Sequence, residues 1–139
     1  MDLFSHDLKA EALGASPLFE ALSRHELVAL AKVTEDMEVG EGKVLAREGQ
    51  LGSEFFVIVE GDVVVTKEGA ELRRLSAGDF FGEVALLSES ARRSATVTAA
   101  TPLRFFVLTR QAFSGLLRRH PEIERKVLEA VEERVLATE

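Results

Sequence analysis

Residues 54–69 read Glu54-Phe55-Phe56-Val57-Ile58-Val59-Glu60-Gly61-Asp62-Val63-Val64-Val65-Thr66-Lys67-Glu68-Gly69. Two short runs of aromatic and β-branched residues are each followed within three residues by a glycine. Such side chains fit a pleated, buried surface, and glycine accepts the positive φ of a tight turn. The stretch therefore reads as strand, turn, strand. Outward from it the same punctuation persists: eight of the ten glycines fall between Gly40 and Gly82, at 40, 42, 49, 52, 61, 69, 78 and 82. Between and beyond them Val44–Arg47, Glu54–Glu60, Val63–Lys67, Glu71–Leu75, Ala95–Ala99 and Leu103–Thr109 are predicted strands. Short strands at this spacing make a β-sandwich or a jelly-roll barrel.

The flanks change period. Leu18, Leu22, Leu27, Leu30, Ala31 and Val33 recur at roughly helical spacing. Ser16-Pro17 supplies a start signal with Pro17 at a first helical position, and Ser23 with Glu26 matches a capping box for the next helix. Past the barrel, Gln111–Arg119 reads as a helix with Phe113, Leu116 and Leu117 apolar. Pro121 opens another, in which Ile123, Val127, Val131 and Val135 stand four apart. The expected architecture is mainly β with flanking helices, in one domain over 1–139. Helices occupy 1–35, the barrel 36–109 and two further helices 110–139.

The 139 residues carry 17 basic and 24 acidic side chains, a formal charge of −7. That balance argues against binding nucleic acid through bulk charge. The absence of cysteine excludes disulfides, thiolate metal sites and cysteine nucleophiles. No apolar run approaches the ~18 residues of a membrane helix. Met1-Asp2-Leu3-Phe4-Ser5-His6-Asp7 carries acid where a signal peptide carries Lys or Arg, so a cytoplasmic location is expected.

Residues 80–97 carry the chemistry: Phe80-Phe81-Gly82-Glu83-Val84-Ala85-Leu86-Leu87-Ser88-Glu89-Ser90-Ala91-Arg92-Arg93-Ser94-Ala95-Thr96-Val97. Gly82 precedes a short run of helix formers, which would aim unpaired backbone N–H groups outward as an anion site. By strand parity Arg93 shares a face with Ala95, Val97 and Ala99, while Arg92 points the other way into solvent. A buried guanidinium needs a partner. Two remain open: a structural ion pair with Glu83, or a bound anion such as a phosphate, whose geometry a guanidinium matches.

This segment resembles the phosphate-binding cassette of the cyclic nucleotide-binding domain family, with Phe-Gly-Glu followed by Arg-Ser-Ala-Thr-Val. The resemblance extends through Ser16-Pro17-Leu18-Phe19, Glu48-Gly49-Gln50-Leu51-Gly52, Phe55–Gly61 and Ala77-Gly78-Asp79-Phe80. It implies a double-stranded β-helix (jelly-roll) barrel that binds cAMP or cGMP as a ligand, with no cofactor, no metal and no catalysis. It also implies that Arg93 holds the cyclic phosphate, assisted by Ser94, Gly82 and the amides of Val84 and Ala85. Glu83 then accepts from the ribose 2′-hydroxyl, and Arg134 on the last helix sits where related bacterial domains cap the base; an exposed Arg134 with nothing to pair stays open beside that role. Many members place Pro directly before the arginine. Here Ala91-Arg92 stands there, in a loop of the length found in the bacterial transcription-regulator branch; that look favours cAMP over cGMP. The last helix is expected to relay occupancy and to be the surface met by a second copy or a parent effector domain.

Other classes fit less well. A cupin-like metalloenzyme needs clustered imidazoles, yet His6, His25 and His120 all lie in the helical flanks and are expected at the surface. Glu83 beside a cation is a poor general base. Two alternatives stay open. The chain could be the sensor fragment of a catabolite-activator-type transcription regulator without its DNA-binding module, or a degenerate domain for protein contacts. Arg118-Arg119 and Arg125-Lys126 are diluted by Glu122, Glu124, Glu129, Glu132 and Glu133, which reads as a solvated helix face rather than a DNA contact.

Overall fold

The computed structural model describes residues 3–88 and 90–137. Met1-Asp2, Glu89 of the cassette, and Thr138-Glu139 lie outside the described residues. The chain opens with α1 (Leu3–Gly14), a 3-10 turn (Pro17–Phe19) and α2 (Arg24–Lys32). The barrel strands are β1 (Glu35–Val39), β2 (Val44–Ala46), β3 (Glu54–Glu60), β4 (Val63–Lys67), β5 (Ala70–Leu75) and β6 (Phe80–Phe81). A short helix α3 (Glu83–Leu87) follows, then β7 (Thr96–Ala99), β8 (Leu103–Thr109), α4 (Arg110–Arg119) and α5 (Pro121–Ala137). Two antiparallel four-stranded sheets result, in the orders β1-β8-β3-β6 and β2-β7-β4-β5. This is the expected jelly roll.

The unbroken apolar run of β3 is explained by its place. It pairs with β8 on one side and β6 on the other, and both of its faces are covered. Phe56 and Ile58 point into the barrel, against Phe105 and Val107 of β8 and Val63 and Val65 of the facing sheet. Phe55 and Val57 point outward under the helices, where Phe55 stacks on Phe113 of α4 with ring centroids 4.4 Å apart. Ile123 and Val127 of α5 close that outer layer at 1% and 0% exposure. Each such side chain contributes roughly 1.5–3 kcal/mol through burial, so the start of α5 is core.

Local signals account for the helix ends. The Ser23 hydroxyl accepts from the Glu26 amide at 3.1 Å and the Glu26 carboxylate accepts from the Ser23 amide at 2.9 Å, the capping box expected from the sequence. Hydrogen bonds from Ser23 hold the Glu26 carboxyl below its ordinary value. Thr109 caps α4 in the same way, accepting from the Ala112 amide. Ser16-Pro17, by contrast, opens only the 3-10 turn. The Ser16 hydroxyl accepts from the Leu18 amide and donates to the Gly78 carbonyl, which ties the turn to the barrel rather than starting a helix.

Three elements carry no strong sequence signal. β1 reads Glu35-Asp36-Met37-Glu38-Val39 and four of its five residues are exposed, so no alternation marks it. It is an edge strand held to β8, with Arg104 gripping the Asp36 carboxylate through two bonds of 3.1 and 2.8 Å. β6 is two residues long. The third, α1, lies in the predicted helical stretch but shows no distinct apolar stripe in sequence. Among the described residues, no helix is long and apolar enough to cross a membrane.

Candidate functional site

The cavity that gathers the expected residues lies between β5 and α3, and extends to the end of α5. Its wall includes Gly82, Glu83, Val84, Ala85, Arg93, Ser94 and Arg134, together with Leu72, Arg73 and Val135. The space within this wall, counted with its open mouth, is about 580 Å³. All seven residues expected to touch a ligand are therefore brought to one place.

Two glycine-dependent turns of backbone set the inner end. Gly82 takes φ +98°, a left-handed conformation that L side chains adopt at a cost, and from there the chain enters α3. A Cβ at this position would stand 2.6 Å from the Glu54 carbonyl oxygen and 2.9 Å from Arg93 Nη1. Glycine is required twice over. On the other side, residues 49–52 run antiparallel to 91–93: the Gly49 amide donates to the Arg93 carbonyl, the Arg93 amide to Gln50 and the Gly52 amide to Ala91, at 2.8, 2.8 and 2.9 Å.

Arg93 lies between these two segments at 8% exposure. Its Nη1 donates to the Gly82 carbonyl at 3.2 Å and its Nη2 to the Glu54 carbonyl at 3.1 Å, with the Phe56 ring 5.6 Å from the guanidinium carbon. The structural alternative raised from the sequence, an ion pair between Arg93 and Glu83, does not form. Burial pulls the Arg93 pKa below its ordinary value, opposed by the Glu54 and Glu83 carboxylates. A guanidinium has five N–H donors, and main-chain carbonyls engage only part of that set. A cation so placed, beside the amides at the start of α3, can take an anion.

Strand parity described this region imperfectly. β7 begins at Thr96 rather than Ala95, and the chain bends at Ser94 and Ala95, so Arg93 and Ser94 both line the cavity. Arg92 is exposed as expected; its side chain donates to the Gly49 carbonyl at 2.8 Å.

Glu83 is buried, and its partner is Arg134. Arg134 Nη1 donates to Glu83 Oε1 at 2.5 Å and Nη2 to the Phe80 carbonyl at 2.8 Å, with the guanidinium 4.8 Å from the Phe80 ring centroid. The side chains are 15% and 2% exposed. Arg134 is thus no free surface cation: it carries the end of α5 onto the cavity, with Val135 beside it. Arg73 of β5 completes the outer wall and donates to the Arg134 carbonyl at 3.5 Å. Burial lowers its pKa, the Arg134 charge adds to that effect, and Glu83 opposes it. Arg73 and Arg110 were not singled out from the sequence. Arg110, the first residue of α4, donates to the carbonyls of Leu86 and Gly52, both at 3.3 Å, and so ties α3 to the loop behind Arg93.

The outward face of α5 carries surface ion pairs and hydrogen bonds. Arg125 pairs with Glu129, and Lys126 bonds to the Pro17 carbonyl and Glu20. His25 is exposed, and His120 lies 3.7 Å from Glu26. Among the described residues no His, Asp or Glu group is arranged to hold a metal ion.

Known proteins resemble this chain in sequence and in fold. The "cAMP-dependent protein kinase regulatory subunit" of Mycosarcoma maydis is 42% identical over 120 residues, covering 75% of this chain and 23% of that protein. A cyclic nucleotide-gated potassium channel of Rhizobium etli is 36% identical over 124 residues, covering 89% and 34%. The chain therefore spans between about a quarter and a third of the length of these relatives. The solved structure described as cAMP-bound PfPKA-R superposes with a TM-score of 0.88 at 25% identity, over 96% of this chain and 46% of that one. The profile of the "Cyclic nucleotide-binding domain" family matches residues 36–120, and the chain belongs to that family.

Proposed function

We propose that this chain is a non-catalytic sensor that takes a 3′,5′-cyclic mononucleotide, cAMP in preference to cGMP, between α3, β5 and the end of α5. The observation that carries the reading is Arg93: a buried guanidinium facing the cavity beside the α3 amides, whose described side-chain hydrogen bonds go to main-chain carbonyls. In this reading Arg93 and Ser94, with Gly82 and the amides of Val84 and Ala85, hold the cyclic phosphate. Glu83 accepts from the 2′-hydroxyl. A carboxylate has about four acceptor positions, so the bond from Arg134 leaves capacity for a second donor. In the same reading Arg134 covers the base with the planar face of its guanidinium. Support for cAMP comes from the cAMP-bound relative of the same fold.

The relay follows from the position of Arg134 near the end of α5. A ligand shifts a conformational equilibrium only through its differential affinity for the two states. A base beneath Arg134 favours the docked helix end, and whatever lies beyond residue 137, or packs on α5 from a second copy, would sense the change.

Titration calorimetry with cAMP, cGMP and a cyclic dinucleotide tests the reading. The expected result is saturable binding of cAMP, weaker binding of cGMP and none of the dinucleotide. Absence of heat and of thermal shift with both mononucleotides would overturn it. Chromatography of cAMP incubated with the pure protein should recover cAMP; production of AMP would overturn the non-catalytic part.

A further inference from the structure

Gly52 matches the turn glycines of the sequence in spacing, but it does not do their work. Gly42, Gly49, Gly61, Gly69, Gly78 and Gly82 adopt positive φ, whereas Gly52 does not. Its φ lies outside the left-handed region, so backbone conformation does not require glycine there. What excludes a side chain is Arg93: an ideal Cβ on Gly52 would stand 2.6 Å from Arg93 Cδ and closer still to Nε and Cζ. These atoms are the middle of the side chain, not its free tip, so a small swing of the guanidinium gives no relief. Nor can the loop retreat easily. It is laddered to 91–93 through the amides of Gly49, Arg93 and Gly52, and Arg110 holds the Gly52 carbonyl from the other side.

We propose that Gly52 is a positioning residue of the ligand pocket: the bare backbone there is the seat on which the Arg93 guanidinium lies to reach the Glu54 and Gly82 carbonyls. Gly82 forms the opposite wall of the same slot, 2.9 Å from Nη1 by the same measure. A side chain at 52 forces Arg93 off both carbonyls and out of register with an anion at α3. The inference rests on the reading of Arg93 as the phosphate contact, but its stability test below does not need a ligand.

The experiment compares Gly52→Ala in the full chain with and without Arg93→Ala. Without nucleotide, Gly52→Ala should lower the melting temperature when Arg93 is present. In the Arg93→Ala background it should leave it unchanged or raise it, because alanine in a permitted conformation restricts the unfolded chain. For cAMP, Gly52→Ala should weaken binding by roughly 10- to 150-fold, the equivalent of a lost charge-assisted contact. Its affinity should also lose part of its dependence on KCl, as expected when a cation leaves the phosphate. A variant that folds only when Arg93 is also removed supports the seat. An equal fall in melting temperature in both backgrounds, failure of both to fold, or wild-type cAMP affinity in folded Gly52→Ala would each overturn it. If the wild-type chain binds neither cAMP nor cGMP, the nucleotide reading fails while the melting comparison still decides the seat.

Discussion

The two ends of the cavity are held by different means. At the inner end, Arg93 is fixed by the barrel itself: its guanidinium lies between two glycines and donates to two main-chain carbonyls. At the outer end, Arg134 arrives on a helix and is held largely by one carboxylate, one carbonyl and the face of Phe80. The same helix begins as core, with Ile123 and Val127 buried, and finishes with Val135 at 40% exposure. Rigid backbone at one end and a lightly packed helix terminus at the other make a site that can anchor an anion while its rim adjusts. Half-exposed helix ends are among the elements that local opening samples first.

Four substitutions probe that contrast. Arg93→Ala should do the most. Removing one partner of a desolvated charged contact costs about 2–5 kcal/mol, a loss of cAMP affinity of roughly 30- to several-thousand-fold by calorimetry. Near-wild-type affinity in a folded Arg93→Ala protein would show that the inner end is structural. The unliganded melting temperature must be read alongside, since Arg93 also bonds its own surroundings.

Glu83→Ala ranks next. Loss of a charge-assisted hydrogen bond is worth about 1.5–3 kcal/mol, and the gap between cAMP and its 2′-deoxy analogue should narrow. An unchanged gap would remove Glu83 from sugar recognition and leave it as the counter-ion of Arg134. Arg134→Ala should cost less, about 0.5–2 kcal/mol for a cation lost from an aromatic or base face. Its distinctive effect should be faster hydrogen exchange over 131–137 with no change over 121–127. Uniform acceleration along α5 would contradict the division of the helix into core and rim.

Arg92→Ala is the smallest. The side chain is exposed and its one described hydrogen bond is to the Gly49 carbonyl, so affinity should stay within a factor of about two. Abolished binding in Arg92→Ala with retained binding in Arg93→Ala would move the cassette register by one residue.

Much of this was legible in the sequence because burial and turns write directly into composition. β3, β4 and β8 appear with the expected ends, since each is a run of apolar or β-branched residues bounded by turn signals. The Ser23–Glu26 box and the helix after Gly82 follow from local chemistry alone. β1 was not legible, because an exposed edge strand has no apolar alternation to show. The pairing of Glu83 with Arg134 was hidden for another reason. It joins residues 51 apart, and only the docking of α5 decides that Arg134 rather than Arg93 meets the carboxylate. Gly52 illustrates a third limit. Its spacing is that of a turn glycine, but the constraint is a side chain 41 positions away, which no local rule reads.

The most direct test of the fixed-end, adjustable-end account is hydrogen exchange across Pro121–Ala137 with and without saturating cAMP. The account predicts slow exchange over 121–127 in both states, because Ile123 and Val127 are core, and a gain of protection over 131–137 when cAMP is present. The same exchange throughout α5 with and without bound cAMP would contradict it.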